Sequence, residues 1–533
     1  MNAPYLPVLT CEQMKACDDY TINTLGVPSQ TLMERAAARA ADVLLGDGRF
    51  DTKNVLVLVG GGNNGGDGIA LARILNSKSS QNVGVAVSFV GNPQKTSVEC
   101  DRQYRLALDE GVKFVTAQSI FQSIDEYSCI VDAIFGIGLV RDIEGVIFDV
   151  IQLINNCGKK ILSVDVPSGI DADTGLVCGI AVRADVTVCI QALKRGLLLF
   201  PAAHLAGEIR VCDIGIDLST VDTKENLRIL DKTNLPEFFS RRRRSNKGSY
   251  GKVLFVCGSR GMSGAAYLSA SAALRSGIGL AHVFTHEDNR IIIQSQLPEA
   301  IVSTYSDDVA SAKLALNQSL AAADLAVIGC GLGKSETAVA LLEHALNFEE
   351  KTPLVLDADA LNILSENPRL WLTKRFSGGE KHITVITPHP AELARLTGIS
   401  VSEILQDIPF YAKKFAREHG VFVVLKDAHT VIASPDSVCF INPHANSGMA
   451  KGGSGDVLAG IIGALLENVA FNLDASDSDV ASYIAAAVLL HSLAGEAARE
   501  AIGEVSMLPT DLINCISFVA KDFFDTTTKI EYV

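Results

Sequence analysis

The stretch that decides the fold is NVLVLVGGGNNGGDG, residues 54–68. Its first part, Asn54–Gly60, is a short run of β-branched and other apolar residues, which predicts a buried strand. The glycines and asparagines that follow predict a turn, and the segment Gly68–Asn76 after them predicts a helix. A buried strand that leads through a glycine-rich turn into a helix is typical of a parallel α/β sheet.

The same alternation continues on both sides of this stretch. Further strands of the first half are predicted at Val83–Val90, Cys129–Ile134, Lys160–Val166 and Val186–Ile190. Helical patterns lie between them, as at Glu144–Cys157, and the opening segment Thr10–Leu45 reads as one apolar-periodic helical run. Because these short strands are apolar throughout, we expect a parallel sheet that is covered on both faces.

A polar stretch between about Asp217 and Gly248 interrupts the pattern and indicates a domain boundary. A second α/β series follows, with strands predicted at Lys252–Cys257, Ala281–Thr285, Leu325–Gly329, Pro353–Leu356, Ile383–Ile386 and Val421–Lys426. A hairpin-like continuation runs to Ile441, and the helices Asp456–Leu466 and Ser482–Ala498 close the series. We therefore predict an α/β protein of two doubly wound domains, residues 1–225 and 226–533.

Composition excludes several classes of function. The 533 residues carry a formal charge of −15, and the one basic run, Arg241–Arg244, reads as a solvated linker, so we expect no nucleic-acid partner. The twelve cysteines include no CxxC pair, which favours reduced thiols and a cytoplasmic protein. The N-terminus lacks the pattern of a signal peptide, and no charge-free apolar run reaches about 18 residues. We accordingly expect no membrane partner.

Three strand ends of the first half carry side chains with oxygen atoms. Asn64 follows the first strand, Asp132 stands in VDAIFGIG, and Asp165 and Ser168 stand in SVDVPSGID. Ligands of open α/β sheets bind at the carboxyl ends of the strands. The N–H groups that start the helix after Asn64 would suit an anion such as a pyrophosphate, and the side-chain oxygens suggest a cation beside it. Each residue alone could equally form a turn or a helix cap, but the set favours a ligand site.

Five motifs of the first half together resemble the NAD(P)H-hydrate epimerase domain, also called the YjeF N-terminal domain. They are LMERAA (residues 32–37), GGGNNGGDG (60–68), VDAIFGIG (131–138), SVDVPSGID (163–171) and ALKRGL (192–197). The resemblance implies a Rossmann-like fold and an isomerase that interconverts the R and S hydrates of NADH and NADPH. It implies that two loops hold the hydrated dinucleotide: Asn63, Asn64, Gly65, Gly66 and Asp67; and Gly136, Ile137, Gly138, Leu139, Val140, Arg141 and Asp142. It further implies that Asp165 is the catalytic residue at the substrate and that Asn64, Asp132 and Ser168 bind a potassium ion.

The second half carries its strongest motif in NSGMAKGGSGDVL, residues 446–458. Consecutive N–H groups of the glycines, placed at the start of an apolar helix, can cradle a phosphoryl group in transfer. Asp456 would project from the same turn and could accept the proton of a hydroxyl that meets the phosphate. A plain helix N-cap is the alternative for Asp456 and is compatible with catalysis, but it does not explain the density of glycines.

The motif resembles the ribokinase-like superfamily, and the rest of this half is similar to its NAD(P)H-hydrate dehydratase branch. The supporting motifs are KGSYGK (247–252), GSRGMSGAA (258–266), LPE (297–299), GCGLG (329–333), DADALN (357–362), TPHPAE (387–392) and VLKDAHT (424–430). The resemblance implies that Ala265, Gly331, His389 and the catalytic Asp456 contact the hydrate. It also implies adenine-nucleotide contacts from Lys426, Asp427, Ala428, His429, Thr430 and Gly455. Taken alone, His389 would more often be a structural histidine.

The two resemblances together imply a bifunctional enzyme that repairs hydrated NADH and NADPH. The second domain would phosphorylate the C6 hydroxyl of the S hydrate, and loss of phosphate, a better leaving group than hydroxide, would restore the ring. ADP is the expected phosphoryl donor, with Mg²⁺, and ATP remains the alternative. The partners would then be small molecules, and we expect a homo-oligomer. The rival interpretation is a ribokinase-type small-molecule kinase fused to a nucleotide-binding module.

Overall fold

The computed structural model describes residues 5–78, 83–91, 95–221, 227–230, 232–239, 244–348, 352–377, 382–470 and 475–524. Most of the basic run, Arg241–Arg243, lies outside these residues. The chain forms two compact units. The first unit is residues 7–226, and the second is residues 227–533 together with the first six residues of the chain. That grouping of the first residues with the second half has no signal in the sequence.

The strands up to residue 212 are β1 Tyr5–Leu9, β2 Asn54–Val59, β3 Gly84–Phe89, β4 Lys113–Thr116, β5 Cys129–Ala133, β6 Lys160–Val164, β7 Val186–Ile190, β8 Leu193–Lys194 and β9 Glu208–Cys212. The helices of the first unit are α1 Cys11–Asn23, α2 Ser29–Gly46, α3 Asn63–Ser77, α4 Val98–Asp109, α5 Ala117–Ser123, α6 Val146–Asn156 and α7 Ala202–Leu205. Seven strands form one sheet in the order β4-β3-β2-β5-β6-β7-β9, and every pair in it is parallel. The strand order reverses between β2 and β5, so the loops that follow these two strands diverge and leave a crevice between them.

The alternation of side chains along β2 explains why helices cover both faces of this sheet. Val55, Val57 and Val59 pack with apolar residues of α2, α3 and α4. Leu56 and Leu58 point to the other face and pack with residues of α5 and α6. All five side chains are fully buried, which is why the strand reads as a continuous apolar run rather than an alternating one.

Two boundaries differ from the sequence-based expectation. The opening helical run is divided into α1 and α2, because Gly26 has a φ of +73° and Pro28 is the N-cap of α2. Helix α3 starts at Asn63 rather than Gly68, so most of the asparagine and glycine turn is already helical. The glycines there serve close packing: a Cβ on Gly65 would lie 2.0 Å from the Gly60 carbonyl oxygen, and one on Gly68 would lie 2.5 Å from the Ala133 Cβ.

The strands of the second unit are β10 Leu227–Leu230, β11 Lys252–Val256, β12 Leu280–His286, β13 Ile301–Tyr305, β14 Leu325–Ile328, β15 Leu354–Leu356, β16 Thr384–Ile386, β17 Phe422–Leu425, β18 Thr430–Ala433 and β19 Cys439–Asn442. Its helices are α8 Ser263–Arg275, α9 Arg290–Gln296, α10 Val309–Leu320, α11 Glu336–Leu346, α12 Asp359–Glu366, α13 Lys374–Ser377, α14 Pro390–Thr397, α15 Val401–Gln406, α16 Ile408–His419, α17 Ser454–Ala470, α18 Asp477–Ile502 and α19 Pro509–Phe524. The strand order is β13-β12-β11-β14-β15-β16-β17-β18-β19-β10. The ladder is parallel from β13 to β17, and β18 runs antiparallel to both neighbours.

The architecture of two α/β units with largely parallel sheets confirms the predicted fold class. The predicted hairpin is β17–β18–β19, whereas β10 and β13 were not expected from the sequence. In the second unit the order reverses between β11 and β14. By length and composition α18 could cross a membrane. Most of it is buried in the core of the second unit, and an apolar core helix meets the same criteria.

Candidate active sites

The first unit contains a cavity of about 540 Å³ at the crevice between β2 and β5. Of the residues predicted to form a site there, Asn63, Asn64, Asp67, Gly136, Ile137, Gly138, Leu139 and Asp165 line it. Residues distant in sequence complete the wall, among them Met14, Lys15 and Asp18 of α1, Leu32 and Met33 of α2, Glu99 of α4 and Lys194 of β8. The cavity therefore lies where an open α/β sheet binds its ligand.

The first turn of α3 forms one side of this cavity. Gly62 is the N-cap, and Asn63, Asn64 and Asp67 face the space, while Gly65 is buried against the Gly60 backbone. Within the described residues, neither the amide nitrogen nor the amide oxygen of Asn64 has a hydrogen-bond partner, although both atoms are buried. A buried amide without partners is costly, so this side chain is suited to a ligand that would satisfy it.

The predicted loop 136–142 reaches the cavity only in part. Gly136, Ile137, Gly138 and Leu139 line it, whereas the three residues that follow, Val140, Arg141 and Asp142, are exposed and do not line it. Val140 is 85% exposed. The space beside Gly136 is tight, since a Cβ there would lie 3.3 Å from Asp165 Oδ2 and 3.4 Å from Asn64 Cγ. A glycine at this point allows the loop to pass close to both polar side chains.

Asp165 forms a buried ion pair with Lys194 at the wall of the cavity. Lys194 Nζ donates to Asp165 Oδ1 at 2.5 Å and to the Ile190 carbonyl oxygen at 2.6 Å, and its side chain is only 1% exposed. Asp165 has a φ of +67°, which is unusual for a residue other than glycine. Its N–H donates to the Val188 carbonyl oxygen at 2.8 Å. Backbone strain of this kind is concentrated at functional sites, where the surroundings hold it in place.

Burial and neighbouring charges shift the pKa values of two side chains in the cavity, Lys194 and Asp67. Burial alone would lower the pKa of Lys194, but the Asp165 carboxylate outweighs it and the pKa is raised, so Lys194 carries its charge. Burial raises the pKa of Asp67 well above its ordinary value, and the charges of Asp165 and Asp18 add to the effect. The cavity thus combines a buried carboxyl group of raised pKa, Asp67, with the ion pair of Asp165 and Lys194.

Asp132 and Ser168 form a buried cluster behind this wall. Asp132 Oδ1 accepts from the Ser168 hydroxyl at 2.6 Å, and Oδ2 accepts from the Ser168 N–H and the Ser163 hydroxyl, both at 2.8 Å. Burial raises the pKa of Asp132, while hydrogen bonds from Ser168 and Ser163 work against that rise. The structure thus brings Asp132 and Ser168 together.

In the second unit the motif GGSGD forms the start of α17. Gly453 has a φ of +104°, so a side chain would be strained there, and a Cβ would lie 2.7 Å from Leu268 Cδ1. Ser454 is the first residue of α17, and its hydroxyl is buried with no hydrogen-bond partner among the described residues. The N–H groups of a first helical turn, together with an unsatisfied hydroxyl, form a site for an anion.

Asp456 projects from this turn into a buried polar cluster. Oxygen atoms of Asp456 and Asp357 and the Cys330 sulfur all lie within 4.8 Å of one another. Lys426 Nζ donates to Asp357 Oδ1 at 2.7 Å, and the Thr387 hydroxyl donates to the same oxygen at 2.5 Å. These five residues come from the carboxyl ends of β14, β15, β16 and β17 and from the first turn of α17.

Burial and charge both act on the acid–base groups of this cluster. Burial, and secondly the charge of Asp357, raises the pKa of Asp456 to about 6. Burial would lower the pKa of Lys426, but Asp357 and Glu392 outweigh it and the pKa is raised. Lys426 is therefore a cation beside a carboxyl group that can gain or lose a proton near neutral pH.

The remaining predicted residues of the second unit differ in their exposure and in their neighbours. Gly331 and Ala265 adjoin, since a Cβ on Gly331 would lie 2.8 Å from the Ala265 Cβ. His389 is the N-cap of α14, where its Nδ1 accepts from the Glu392 N–H at 3.3 Å, and its side chain is still partly exposed. Asp427 and Ala428 are exposed, and His429 and Thr430 are half-buried. Gly455 adjoins Lys426, because its Cβ would lie 3.5 Å from Lys426 Nζ.

Several residues of both sites were not assigned a role from the sequence alone. Lys194 and Asp357 stand inside motifs that were recognised, ALKRGL and DADALN, and their residue types in those motifs were the available signal. Lys15 and Asp18 of α1 and Glu99 of α4 line the first cavity. These three had no such signal, because only the packing of α1 and α4 against the strand ends brings them there.

Comparison with known proteins agrees with this division. The YjeF-related protein N-terminus family matches residues 29–196, and the NAD(P)H-hydrate dehydratase family matches residues 253–517. A crystal structure of an ADP/ATP-dependent NAD(P)H-hydrate dehydratase from Bacillus subtilis, co-crystallized with ATP/Mg²⁺, is 31% identical and covers 55% of this chain and 98% of its own, with a TM-score of 0.47.

Curated relatives extend along nearly the whole chain. A bifunctional NAD(P)H-hydrate repair enzyme of Thermofilum pendens is 34% identical and covers 96% of this chain and 95% of its own length. The enzyme of the same name from Moorella thermoacetica is also 34% identical and covers 98% of both chains, and that from Escherichia coli K12 is 35% identical and covers 94% and 91%. The chain belongs to the family of bifunctional NAD(P)H-hydrate repair enzymes.

Proposed function

We propose that the chain repairs hydrated NADH and NADPH by two reactions, one in each unit. The observation that carries this proposal is the pair of separate acid–base centres, Asp165 with Lys194 in the first unit and Asp456 with Lys426 in the second. Each lies at the carboxyl ends of strands, beside the first turn of a helix that can receive a phosphate. A simple nucleotide-binding module would not require a buried ion pair in its cavity.

The first unit would interconvert the R and S hydrates. Inversion at C6 of the hydrated ring requires that a bond to C6 break and form again on the other face, and a proton must move to and from the departing atom. Asp165 lies at the cavity wall and is held by Lys194, so it can carry that proton. Asp67, whose pKa is raised by burial, faces the same cavity and can form a hydrogen bond with the substrate.

The first turn of α3 would hold the pyrophosphate of the substrate, together with Asn63 and the loop from Gly136 to Leu139. A potassium ion would be bound by Asn64, Asp132 and Ser168. The unsatisfied amide of Asn64 and the concentrated oxygens of the Asp132 and Ser168 cluster support this ligand set. One carboxylate with neutral oxygens suits a large monovalent ion better than Mg²⁺, which demands a tight octahedron. The ion would supply positive charge beside the pyrophosphate.

The second unit would dehydrate the S hydrate with a nucleotide. Asp456 accepts the proton of the C6 hydroxyl, whose oxygen then attacks the terminal phosphoryl group of the nucleotide. The turn from Gly452 to Gly455 and the Lys426 ammonium stabilise the charge on that group. Loss of phosphate breaks the C6–O bond, and loss of a proton from C5 restores the ring double bond.

The nucleotide would be an adenine nucleotide, and ADP is the expected phosphoryl donor. Mg²⁺ would be bound to its phosphates. Lys426–Thr430 and Gly455 would contact it, while Ala265, Gly331 and His389 would contact the hydrate. The adjacency of Gly455 to Lys426 and of Gly331 to Ala265 supports this division. We also expect a cytoplasmic homo-oligomer. All twelve cysteines are free, as a reducing compartment requires.

The test is to mix the purified chain with a mixture of R and S hydrates and either ADP or ATP, and to follow the absorbance of reduced nicotinamide. Recovery of the full amount of cofactor is expected, because epimerisation converts the R hydrate into the S hydrate. Recovery of half, with the R hydrate left over, would contradict the role of the first unit. A second series offers sugars and pyrimidine alcohols with ATP, and phosphorylation of these without hydrate repair would favour the kinase alternative.

A further inference from the structure

Asp357 is a buried carboxylate at the centre of the second site, with 1% of the residue exposed. Its backbone is held on both sides: its N–H donates to the Ile328 carbonyl oxygen at 3.1 Å, and its own carbonyl oxygen accepts from the Ala360 N–H at 3.1 Å. The next residue, Ala358, has a φ of +48°, which is uncommon for a residue with a side chain. Strain of this kind persists where the surrounding structure fixes the chain. The position of Asp357 is therefore tightly determined.

The two oxygens of Asp357 face different groups. Oδ1 accepts hydrogen bonds from Lys426 and Thr387, so its hydrogen-bonding capacity is used. Oδ2 accepts from the Cys330 thiol at 3.8 Å. It faces the part of the cluster where Cys330 and Asp456 approach one another, with all three groups within 4.8 Å. One residue thus links the ammonium of Lys426 to the neighbourhood of Asp456.

The ion pair with Asp357 also fixes the position of the Lys426 ammonium. Lys426 Nζ is 2.7 Å from Asp357 Oδ1, and it lies 3.5 Å from the place a Cβ of Gly455 would take. The ammonium therefore lies over the first turn of α17, where a transferring phosphoryl group would meet it.

We propose that Asp357 is a positioning residue of the dehydration reaction, which holds the Lys426 ammonium over the first turn of α17 and prevents it from pairing with Asp456. A lysine paired directly with Asp456 would stabilise the carboxylate and make it a weaker base. The inference rests on the proposed function of Asp456 as that base. It adds a residue that touches neither the hydroxyl nor the phosphate but sets the positions of the two groups that do.

The surroundings of both groups support a test by pH. The groups that influence Asp456 are Asp357, Asp359, Cys330 and Lys426. Those that influence or face Lys426 are Asp357, Glu392, Cys330, His389 and His491. Among all of these only Lys426 is a cation at neutral pH beside Asp456, because burial lowers the pKa of His389 and lowers that of His491 to about 4. Lys426 is therefore the cation whose movement toward Asp456 would lower the pKa of Asp456 further, beyond the effect of losing the larger Asp357 charge itself.

The experiment compares the dehydration of the S hydrate by the full chain and by Asp357→Asn, Lys426→Met and Thr387→Val from pH 5 to 9. Asp357→Asn removes a charge that raises the pKa of Asp456 and also releases the lysine toward Asp456, so we expect the acid-side midpoint of kcat/KM to fall by about one pH unit. The plateau kcat should fall at least about tenfold. In Lys426→Met the midpoint should rise, because Asp456 then faces the Asp357 charge without a cation. Thr387→Val removes a hydrogen bond from the same oxygen but no charge, and should leave the midpoint unchanged.

Epimerisation by the same samples shows only that the first unit is intact, so the folding of the second unit is checked in each variant by its melting temperature. A lower kcat for Asp357→Asn with an unchanged midpoint and a lower melting temperature would mean a structural role only and would overturn the inference. The expected signature is a larger fall of the midpoint from Asp357→Asn in the wild-type background than in the Lys426→Met background, where only the direct effect of the Asp357 charge remains. An equal fall in the two backgrounds would overturn the inference, and if Asp357→Asn does not fold, the absence of any upward shift in Lys426→Met overturns it.

Asp456→Asn distinguishes failure of the proposed function from failure of this inference. If Asp456→Asn still dehydrates the S hydrate, Asp456 is not the base. If Asp456→Asn is inactive and Asp357→Asn has the wild-type pH profile, only the positioning role of Asp357 is refuted.

Discussion

At Asp456, burial and the neighbouring carboxylate of Asp357 both raise the pKa of the side chain. Burial is the larger cause and Asp357 the second, and together they raise the pKa to about 6 despite the opposing effects of Cys330 and Lys426. A general base acts in its ionised form, and it is most effective when its pKa lies near the working pH. The residue is therefore tuned closer to neutrality than an exposed aspartate, whose pKa is about 3.9.

This tuning predicts the pH dependence of dehydration. Because the raised pKa is that of the group that must be ionised, kcat/KM for the S hydrate should be level above pH about 6 and should fall about tenfold for each pH unit below it. The terminal phosphate of the nucleotide titrates in the same range, so the profile is repeated with Asp456→Glu. A midpoint that is identical in the two enzymes would assign the fall to the nucleotide and not to Asp456.

Asp165 allows a second prediction about a single residue. Asp165→Asn removes the charge that Lys194 pairs with but keeps the shape of the side chain, so epimerisation should fall by about 10²–10⁴-fold. The S hydrate should still be dehydrated at the normal rate, and the R hydrate should disappear only as fast as it epimerises spontaneously. Separate rates for the two hydrates are measured by chromatography. Rapid consumption of both by this variant would exclude Asp165 as the acid–base residue.

At the scale of elements, helix α3 shows where the sequence was informative and where it was not. The strand, turn and helix around Gly60 followed from apolar periodicity and glycine content, and the structure confirms them. The start of the helix did not follow, because a glycine that is needed for close packing and one that is needed for a turn look the same in a sequence. Gly65 and Gly68 press against Gly60 and Ala133, and that contact is set by tertiary packing.

Close packing of α3 predicts the effect of one added carbon. In Gly65→Ala the new Cβ would lie 2.0 Å from the Gly60 carbonyl oxygen, so α3 must shift away from β2 and alter the cavity. We expect the first unit to lose about 1–3 kcal/mol of stability and most of its epimerisation activity, with dehydration preserved. Gly48→Ala is the matched control, since a Cβ there meets no atom within 4 Å. Normal epimerisation and stability in Gly65→Ala would show that α3 can accommodate the added carbon without a shift that alters the cavity.

The loops after β2, β5 and β6 carry the prediction about the cation. Asp132→Ala removes the carboxylate of the proposed ligand set, so the KM for epimerisation should rise more than kcat falls, and the difference between potassium and lithium should vanish. The wild-type full chain is titrated with both salts while epimerisation is measured without nucleotide. Equal rates in the two salts, with the variant merely less stable, would mean that Asp132 serves only to hold Ser163 and Ser168.

At the scale of the whole molecule, the sequence pointed to two domains and to Asp165 and Asp456, but not to all the side chains that surround these two residues. Asp165 and Asp456 stand in short motifs whose residue types have local meaning. Lys194 and Asp357 matter because they are buried against those residues, and the wall formed by α1 and α4 depends on contacts between distant segments. Residues 140–142 show the converse, because a continuous motif was expected to act as a unit and the chain leaves the cavity after Leu139.

Each site is built from residues of its own unit, and this permits a prediction for the complete enzyme. Asp456→Asn should epimerise without dehydrating, and Asp165→Asn should dehydrate only the S hydrate. If the S hydrate passes between the sites through solution, a mixture of the two variants should repair the R hydrate completely, with a lag that shortens as either variant is added in excess. Reduced nicotinamide absorbance follows the reaction, and each variant alone on pure R hydrate is the control. No recovery in the mixture, although both variants keep their single activities, would mean that the two reactions must occur on one chain.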